Sequence, residues 1–235
     1  MKNNGFGRHL FLVLLVAAIV AVVYVTAEPT GPDDITVGPS ERRDTLDSFA
    51  VEAEAGNVTE LTIEALGITN YWQGYYGNVS GSIVLANANN DTLYNWTVAS
   101  PSGQIYAARQ ASITWTGVGC MIQADIDAED TLLGSTGSTD SVNNTFSSQT
   151  HPAFTVGATN IALDTCRSTS VQGDGSGSVF YQVLLKESTD ETIYTALIDP
   201  AQTGFDGGTY DFQMLVGEDG STAGTTTYYF YVELN

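Results

Sequence analysis

The chain has 235 residues, of which 27 are acidic and only seven are basic, so its formal net charge is −20 at pH 7. A surface this acidic repels phosphate backbones, which excludes nucleic-acid binding. Hydrophobic residues make up 43% of the chain, which is typical of a protein with a buried core.

The N-terminus carries Lys2 and Arg8, followed by an unbroken apolar run over Leu10–Ala27. Val25 and Ala27 occupy the small-residue positions that precede a signal-peptide cleavage site, which predicts a secretory signal over residues 1–27. The run also has about the length that spans a bilayer, so a retained anchor is the alternative, with residues 10–27 as the membrane contact. Both interpretations place the rest of the chain outside the cytoplasm, because the positive charges stay inside.

Beyond residue 27, five basic residues face all 27 acidic ones. Such a surface suits a salty or cation-rich exterior, where screening relieves the repulsion. In a pilin-like alternative, the chain would be cleaved after Gly7 and would keep Leu10–Ala27 as a filament-core helix. The pair Arg8-His9 next to this run disfavours that alternative.

Residues 28–48 hold three prolines and few apolar residues. They are predicted to be a flexible spacer ahead of one domain over residues 49–235.

From Phe49 onward, short runs of alternating polarity are separated by turn sequences, which is typical of antiparallel strands. Residues 49–54 and 58–66 flank Gly56-Asn57 and are predicted to form a hairpin. Further strands are predicted in VSGSIVLANA, TLYNWTVA, GQIYAAR, ASITWTGV, PAFTV, NIALDT, SVFYQVLLKE, TIYTALID, TYDFQMLVGE and TTTYYFYVEL. About ten strands at this spacing predict an all-β fold, an antiparallel β-sandwich with one short helical insert.

The segment NYWQGYYGNVSGSIVL, residues 70–85, combines aromatic residues with glycines. Trp72, Tyr75 and Tyr76 could stack on sugar rings or face a neighbouring subunit. Aromatic side chains more often pack in the core, because they carry the largest apolar area. We therefore expect a turn that starts a sheet, with these aromatics packed where the chain enters the strand at Ile83–Leu85.

Residues 121–133 (MIQADIDAEDTLL) change to helical spacing, and they predict the one short helix. Its expected apolar stripe consists of Ile122, Ile126, Leu132 and Leu133. Paired carboxylates at helical spacing could serve glycoside hydrolysis, and the candidates are Asp125, Asp127, Glu129 and Asp130. In so acidic a chain, however, an acidic helix face is expected to be solvated.

Catalytic and metal-binding constellations are otherwise absent from the sequence. His151 is the single histidine of the predicted domain, and no G-x-S-x-G nucleophile elbow accompanies it. We therefore predict a structural histidine and a protein that is not an enzyme. Weak extracellular calcium binding is the one cofactor that the abundant oxygen ligands leave open, but the sequence has no EF-hand loop and assigns no metal ligand.

Two covalent modifications are predicted for an exported chain. The only cysteines, Cys120 and Cys166, are expected to form a disulfide, which would stabilise the fold by about 4 kcal/mol through loop closure. Glycosylation sequons of the form N-x-[ST] start at Asn57, Asn78, Asn90, Asn95 and Asn143. Several of them are expected to carry N-linked glycans if the host glycosylates.

Several segments together resemble an uncharacterised group of exported archaeal surface proteins. They are WQGYYGNVSG, LYNWTVASPSGQIYAAR, NNTF, THPAFTVG, and the ending that contains GFDGGTYDFQMLVGE and YYFYVEL. The resemblance covers most of residues 49–235 and brings no activity with it. The make-up of the chain is also similar in type to subunits of archaeal surface filaments and surface layers, in some of which one subunit's strand completes the sheet of the next.

This resemblance implies a structural protein of the cell surface that assembles with itself or with neighbouring surface proteins. Residues 30–54 are the segment expected to be exchanged between subunits. The alternative function is an adhesin or a carbohydrate-binding β-sandwich module, with Trp72, Tyr75 and Tyr76 as its ligand-binding aromatics.

Overall fold

The computed structural model describes residues 28–172, 179–220 and 224–234, and the predicted signal or anchor lies outside these residues. The described chain is all-β, with antiparallel sheets and little helix. The strands are β1 (Trp72–Gly77), β2 (Gly81–Ala86), β3 (Thr92–Val98), β4 (Gly103–Ala108), β5 (Gly119–Cys120), β6 (Phe154–Val156), β7 (Thr159–Ile161), β8 (Ser168–Gln172), β9 (Val179–Lys186), β10 (Thr192–Ile198), β11 (Gln202–Thr203), β12 (Thr209–Tyr210), β13 (Phe212–Gly217) and β14 (Tyr229–Leu234). The helices are α1 (Gln123–Leu133) and α2 (Val142–Thr145). Within the described part of the chain, no helix is long and apolar enough to cross a membrane.

A six-stranded antiparallel sheet forms the centre of the molecule. Its strands run in the order β14-β4-β10-β9, and β8 and β5 both pair with β9. Every residue of β4 and β10 is buried. Strands with this continuous burial are covered on both faces, which explains why their sequences are largely apolar instead of alternating strictly between polar and apolar.

Two hydrophobic cores lie on opposite faces of this sheet. Tyr194 and Ala196 of β10 face a core that also contains residues of α1, α2 and β13. Ile193 and Leu197 face a second core with Trp115, β6 and Cys166. The predicted disulfide between Cys120 and Cys166 is formed, and it ties β5 to the chain just before β8. The architecture is therefore sandwich-like, with the main sheet between two covering layers.

A smaller sheet of β1 and β13 covers the first core, and β13 packs against β9 and β10. β13 pairs with β1 along one edge, and on the other edge the backbone groups of Leu215 bond to a side chain instead of a strand. Gln182 of β9 donates its Nε2–H to the Leu215 carbonyl over 2.6 Å and accepts the Leu215 N–H at 2.8 Å. The buried amide of Gln182 thus satisfies the backbone groups that a neighbouring strand would otherwise pair.

The predicted helix is confirmed as α1, and its end follows from local chemistry. Gly134 adopts φ 71°, the left-handed conformation that closes a helix at little cost for glycine. The predicted apolar stripe is confirmed for Ile126 and Leu133, which are buried. It is wrong for Ile122 and Leu132, which are more than 60% exposed. The second helix, α2, was not predicted, because its four residues are too few to show a period.

Two predicted strand regions were wrong. Residues 49–66 do not form a hairpin; they lie in neither strand nor helix, on either side of a turn in which the Asn57 N–H donates to the Glu54 carbonyl. Residues 111–118 (ASITWTGV) form a loop that buries Trp115 and Val118. In contrast, the aromatic segment over residues 70–85 was predicted to begin with a turn, but its residues 72–77 form strand β1.

The chain joins the fold at residues 28–30, the start of the predicted spacer. Pro29 is buried, and Thr30 exchanges two backbone hydrogen bonds with Val232 on the outer edge of β14, at 3.1 and 2.8 Å. The first three described residues therefore lie against the domain. The segment predicted for exchange can only be free from residue 31 onward.

Candidate interaction surface

The three aromatics singled out in the sequence have different surroundings. Trp72 packs against Phe146 and Tyr194 and donates its Nε1–H to the Asp140 carbonyl over 2.6 Å. The ring of Tyr75 meets that of Phe230 edge-on, with centroids 5.2 Å apart. These two side chains therefore belong to the first core, as expected from their apolar area.

Tyr76 points away from that core and is 50% exposed. Its ring lies 4.8 Å from those of Phe205 and Tyr210, edge-on to both. The Tyr210 hydroxyl donates to Asp206, so its polar end already has a partner. Tyr76 lies more than 120 residues before Phe205 and Tyr210, so no local sequence pattern indicates this trio.

His151 is structural in this arrangement, as its backbone and ring contacts show. Its Nε2 accepts the N–H groups of Thr165 and Cys166 at 3.1 and 3.0 Å, which places the ring proton on Nδ1, where it is donated to the Pro152 carbonyl. The side chain is 1% exposed. It therefore holds the segment that carries the disulfide cysteine Cys166.

We predict that His151→Ala lowers the free energy of unfolding by about 2 kcal/mol, because the buried N–H of Cys166 loses its acceptor. Chemical denaturation at pH 7 measures this change. His151→Gln is the matched control, because its side-chain oxygen can still accept a hydrogen bond, and it should cost clearly less. Equal losses in the two variants would contradict the proposed role of Nε2.

The prediction of a solvated acidic face on α1 is wrong for two of its four carboxylates, because Glu129 and Asp130 are 3% and 5% exposed. Asp127 is exposed and Asp125 is half-buried. Glu129 makes a two-fold hydrogen bond with Arg109, with both oxygens 2.6 Å from guanidinium nitrogens. It also accepts from Thr192 and Tyr194. Burial alone would raise the pKa of Glu129, but the hydrogen bonds and charge of Arg109 hold it below its usual range. The cluster thus fastens α1 to β10 and to the end of β4.

Asp130 has a different structural role. Its carboxylate accepts the N–H groups of Val142 and Asn143 at the start of α2 and the hydroxyl of Ser135. These contacts cap α2 and hold it against α1. Within the described residues, no group of three or more His, Cys, Asp or Glu side chains is arranged to hold a metal ion.

The most unusual surface is a segment of forty residues that we call the arm, residues 31–70. Apart from Pro32 and Ile68, which are half-buried, every residue in it is exposed, and it contains no strand or helix. Its end is fixed, because Thr69 donates its hydroxyl to Asp140 over 2.6 Å and Tyr71 accepts the N–H of Glu218. Its large apolar side chains are all more than half exposed: Ile35, Val37, Leu46, Phe49, Val51, Val58, Leu61, Ile63 and Leu66.

The second unusual surface is the pair β2–β3, which we call the outer hairpin, residues 81–98. The two strands pair from Gly81↔Val98 to Ala86↔Thr92 and form a separate sheet. Almost every side chain is exposed, and Tyr94 and Trp96 are 58% and 50% exposed, with their rings 4.8 Å apart. An isolated two-stranded hairpin is at best marginally stable in water.

The sequons divide between these surfaces and the core. Asn57 lies at the turn of the arm, Asn78 just ahead of the outer hairpin, Asn90 in its turn and Asn95 on β3, and all four are exposed. Asn143 differs, because it lies in α2, is half-buried and accepts a hydrogen bond from Gln123. The structure therefore leaves four of the five asparagines accessible to a glycosylating enzyme.

Comparison with known proteins identifies no relative: no protein-family model matches the chain, and neither a curated protein nor a solved structure matches it significantly.

Proposed function

We propose that this is a structural protein of the cell surface that assembles into a filament or coat through contacts between copies. The observation that carries the proposal is the distribution of exposed apolar side chains. Of the 21 large apolar side chains that are exposed in the described residues, fifteen belong to the arm and the outer hairpin. Exposed apolar side chains concentrated in this way are typical of interaction sites and rare on monomers.

The amount of apolar surface supports a stable contact. A large apolar side chain contributes about 60–120 Å² when it is fully buried, so fifteen side chains that are on average about two-thirds exposed offer roughly 600–1,200 Å². A standard protein interface buries about 800 Å² on each partner. The arm and outer hairpin of one copy are therefore large enough to hold its neighbours.

Three further properties are compatible with an extracellular location. The disulfide is typical of an oxidising compartment. The acidic composition keeps copies soluble until salt screens their repulsion. Four accessible sequons suit a surface glycoprotein.

The proposal predicts that the full-length chain forms polymers in concentrated salt and that these depend on the arm. Substitution of Phe49, Val51, Leu61 and Ile63 by serine should abolish polymers seen by electron microscopy and sedimentation. The melting temperature of the domain should stay unchanged, because these side chains are exposed. The control substitutes the same positions conservatively, as Phe49→Leu, Val51→Ile, Leu61→Ile and Ile63→Leu, and should polymerise. Polymers of normal length from the serine variant, or none from the unaltered chain, would refute the proposal.

A carbohydrate-binding module is the second candidate, and one observation favours it. Tyr76, Phe205 and Tyr210 form an exposed aromatic trio beside Asp206. Trp72 and Tyr75 do not contribute to it, since both pack against the core. We rank this function second because the trio is a single small patch, whereas the arm and outer hairpin together expose a far larger apolar surface.

A further inference from the structure

Building on the proposed self-assembly, we propose that residues 58–66 of one copy pack across one face of the outer hairpin of a second copy. The Leu61 and Ile63 side chains would lie against Ile83, Leu85, Tyr94 and Trp96. The contact joins two unlike surfaces, the arm of one copy and the outer hairpin of the next, so it links copies head to tail.

One face of the outer hairpin is apolar, whereas the other mixes Val84 and Leu93 with polar side chains. The register pairs Ile83 with Trp96 and Leu85 with Tyr94, and side chains of directly paired residues lie on the same face. This apolar face contains no charged residue. The opposite face pairs Val84 with Asn95 and Ser82 with Thr97. A glycan on Asn95 would project from this second face, so it would leave the apolar face free.

The return limb of the arm, residues 58–66, has a matching alternation. If the limb adopts a strand conformation on its partner, alternate side chains point to opposite sides. Leu61, Ile63 and Ala65 would then share one side, whereas Glu60 and Glu64 would share the other with Val58 and Leu66 near its ends. Leu61 and Ile63 are 57% and 82% exposed. The limb can therefore cover an apolar face while its carboxylates stay in solvent.

The charge distribution favours a second copy at this face. Two copies with a net charge of −20 repel each other, and the repulsion is smallest where acidic residues are fewest. Residues 81–98 contain one acidic residue, Asp91, and it lies in the turn at the end of the hairpin. The outer hairpin is thus a place where an acidic partner of the same kind can dock.

Within one chain the two surfaces do not cover each other, because Ile63 of the arm is 82% exposed and Trp96 of the outer hairpin is 50% exposed. The arm leaves the domain at the Trp72 end of β1, where Thr69 bonds to Asp140. The outer hairpin leaves at the Gly77 end, after Val79 donates its N–H to Asp211. Six strand residues separate these ends by roughly 17–20 Å. A contact between unlike surfaces at opposite ends generates an open filament instead of a closed dimer.

Crosslinking of mixed copies tests the contact. Full-length Ala65→Cys protein is mixed with full-length Leu85→Cys protein at an ionic strength of about 1 M, which shortens the electrostatic screening length to about 3 Å and leaves Ile63 and Trp96 in place. A bismaleimide with a reach of about 10 Å, the spacing of packed sheets, is then added. We expect crosslinked dimers in at least tenfold excess over those formed by Ala65→Cys with Val84→Cys, because Val84 is as exposed as Leu85 but lies on the opposite face.

Polymerisation separates failure of this contact from failure of the proposed function. Ile83→Ser with Trp96→Ser should raise the critical concentration about tenfold or more, as expected for loss of an aromatic hot spot. Val84→Ser with Leu93→Ser should leave the critical concentration unchanged, because both side chains lie on the opposite face of the hairpin.

If the unaltered chain polymerises but the first variant also polymerises normally and the specific crosslink is missing, the hairpin contact is refuted and self-assembly stands. If a dilute chain carrying both cysteines crosslinks internally as a monomer, the arm covers its own hairpin and the contact between copies is refuted. If the unaltered chain forms no polymer, the proposed function itself fails.

Discussion

Glu129→Ala should lower the free energy of unfolding by about 3 kcal/mol, because the largely buried Arg109 guanidinium loses the carboxylate that accepts two of its hydrogen bonds. The remaining acidic neighbour of Arg109, Glu191, lies 3.9 Å from its Nε, and the Arg109 side chain is 20% exposed, so neither Glu191 nor water replaces the lost contact in full. The hydroxyls of Thr192 and Tyr194 lose their acceptor as well. Denaturant titration at pH 7 measures the change.

Asp190→Ala is the matched control for this prediction. Asp190 also bonds to a basic side chain, Lys186 at 2.8 Å, but its own side chain is 75% exposed. An ion pair in that position contributes about 0–1 kcal/mol. Comparable losses in the two variants would show that burial does not decide the strength of the Arg109–Glu129 contact.

The same ion pair should make stability depend on pH in a defined direction. The pKa of Glu129 is lowered in the folded state, because the hydrogen bonds and charge of Arg109 outweigh the effect of burial. A carboxylate with a lowered pKa stabilises the fold fully above its unfolded value of about 4.3, and this stabilisation is lost as the pH falls through the folded pKa. The difference between the unaltered chain and Glu129→Ala should therefore be constant near neutral pH and shrink below about pH 4. A difference that grows on acidification would contradict this assignment.

The Arg109–Glu129 pair also shows what sequence reasoning could not reach. Glu129 stands among Asp125, Asp127 and Asp130, and local composition alone makes an acidic helix face look solvated. Its partner lies twenty residues earlier, at the end of β4, and is brought close only by the packing of α1 on the sheet. One signal was present: Arg109 is one of five basic residues beyond residue 27, directly after a run of apolar residues.

Strand positions were more predictable where tertiary packing agreed with local alternation. The segments that became β2, β3, β4, β9, β10, β13 and β14 were all predicted from their own residues. The arm was predicted to be a hairpin for the same reason, because residues 49–54 and 58–66 alternate like strands. A strand pattern needs a partner to become a strand, and within the described chain the arm has none. The wrong hairpin prediction and the proposed assembly thus rest on the same property: residues 49–66 alternate like strands but have no pairing partner within the described chain.

Removal of the disulfide is the other change for which we expect a large effect. Cys120→Ser with Cys166→Ser should lower the free energy of unfolding by about 4 kcal/mol, since the bond closes a loop between residues 46 positions apart. Cys120 is in β5 at the edge of the main sheet, whereas Cys166 is buried in the second core beside His151. Without the bond, the segment between β7 and β8 is held chiefly by the hydrogen bonds to His151. Reduction of the unaltered chain should reproduce the loss seen in the double variant, with denaturant titration as the measurement for both.

His151→Ala should lower the free energy of unfolding more in the double variant than in the unaltered chain, because the disulfide and the histidine restrain the same segment. Strictly additive losses would show that the disulfide and the histidine act independently.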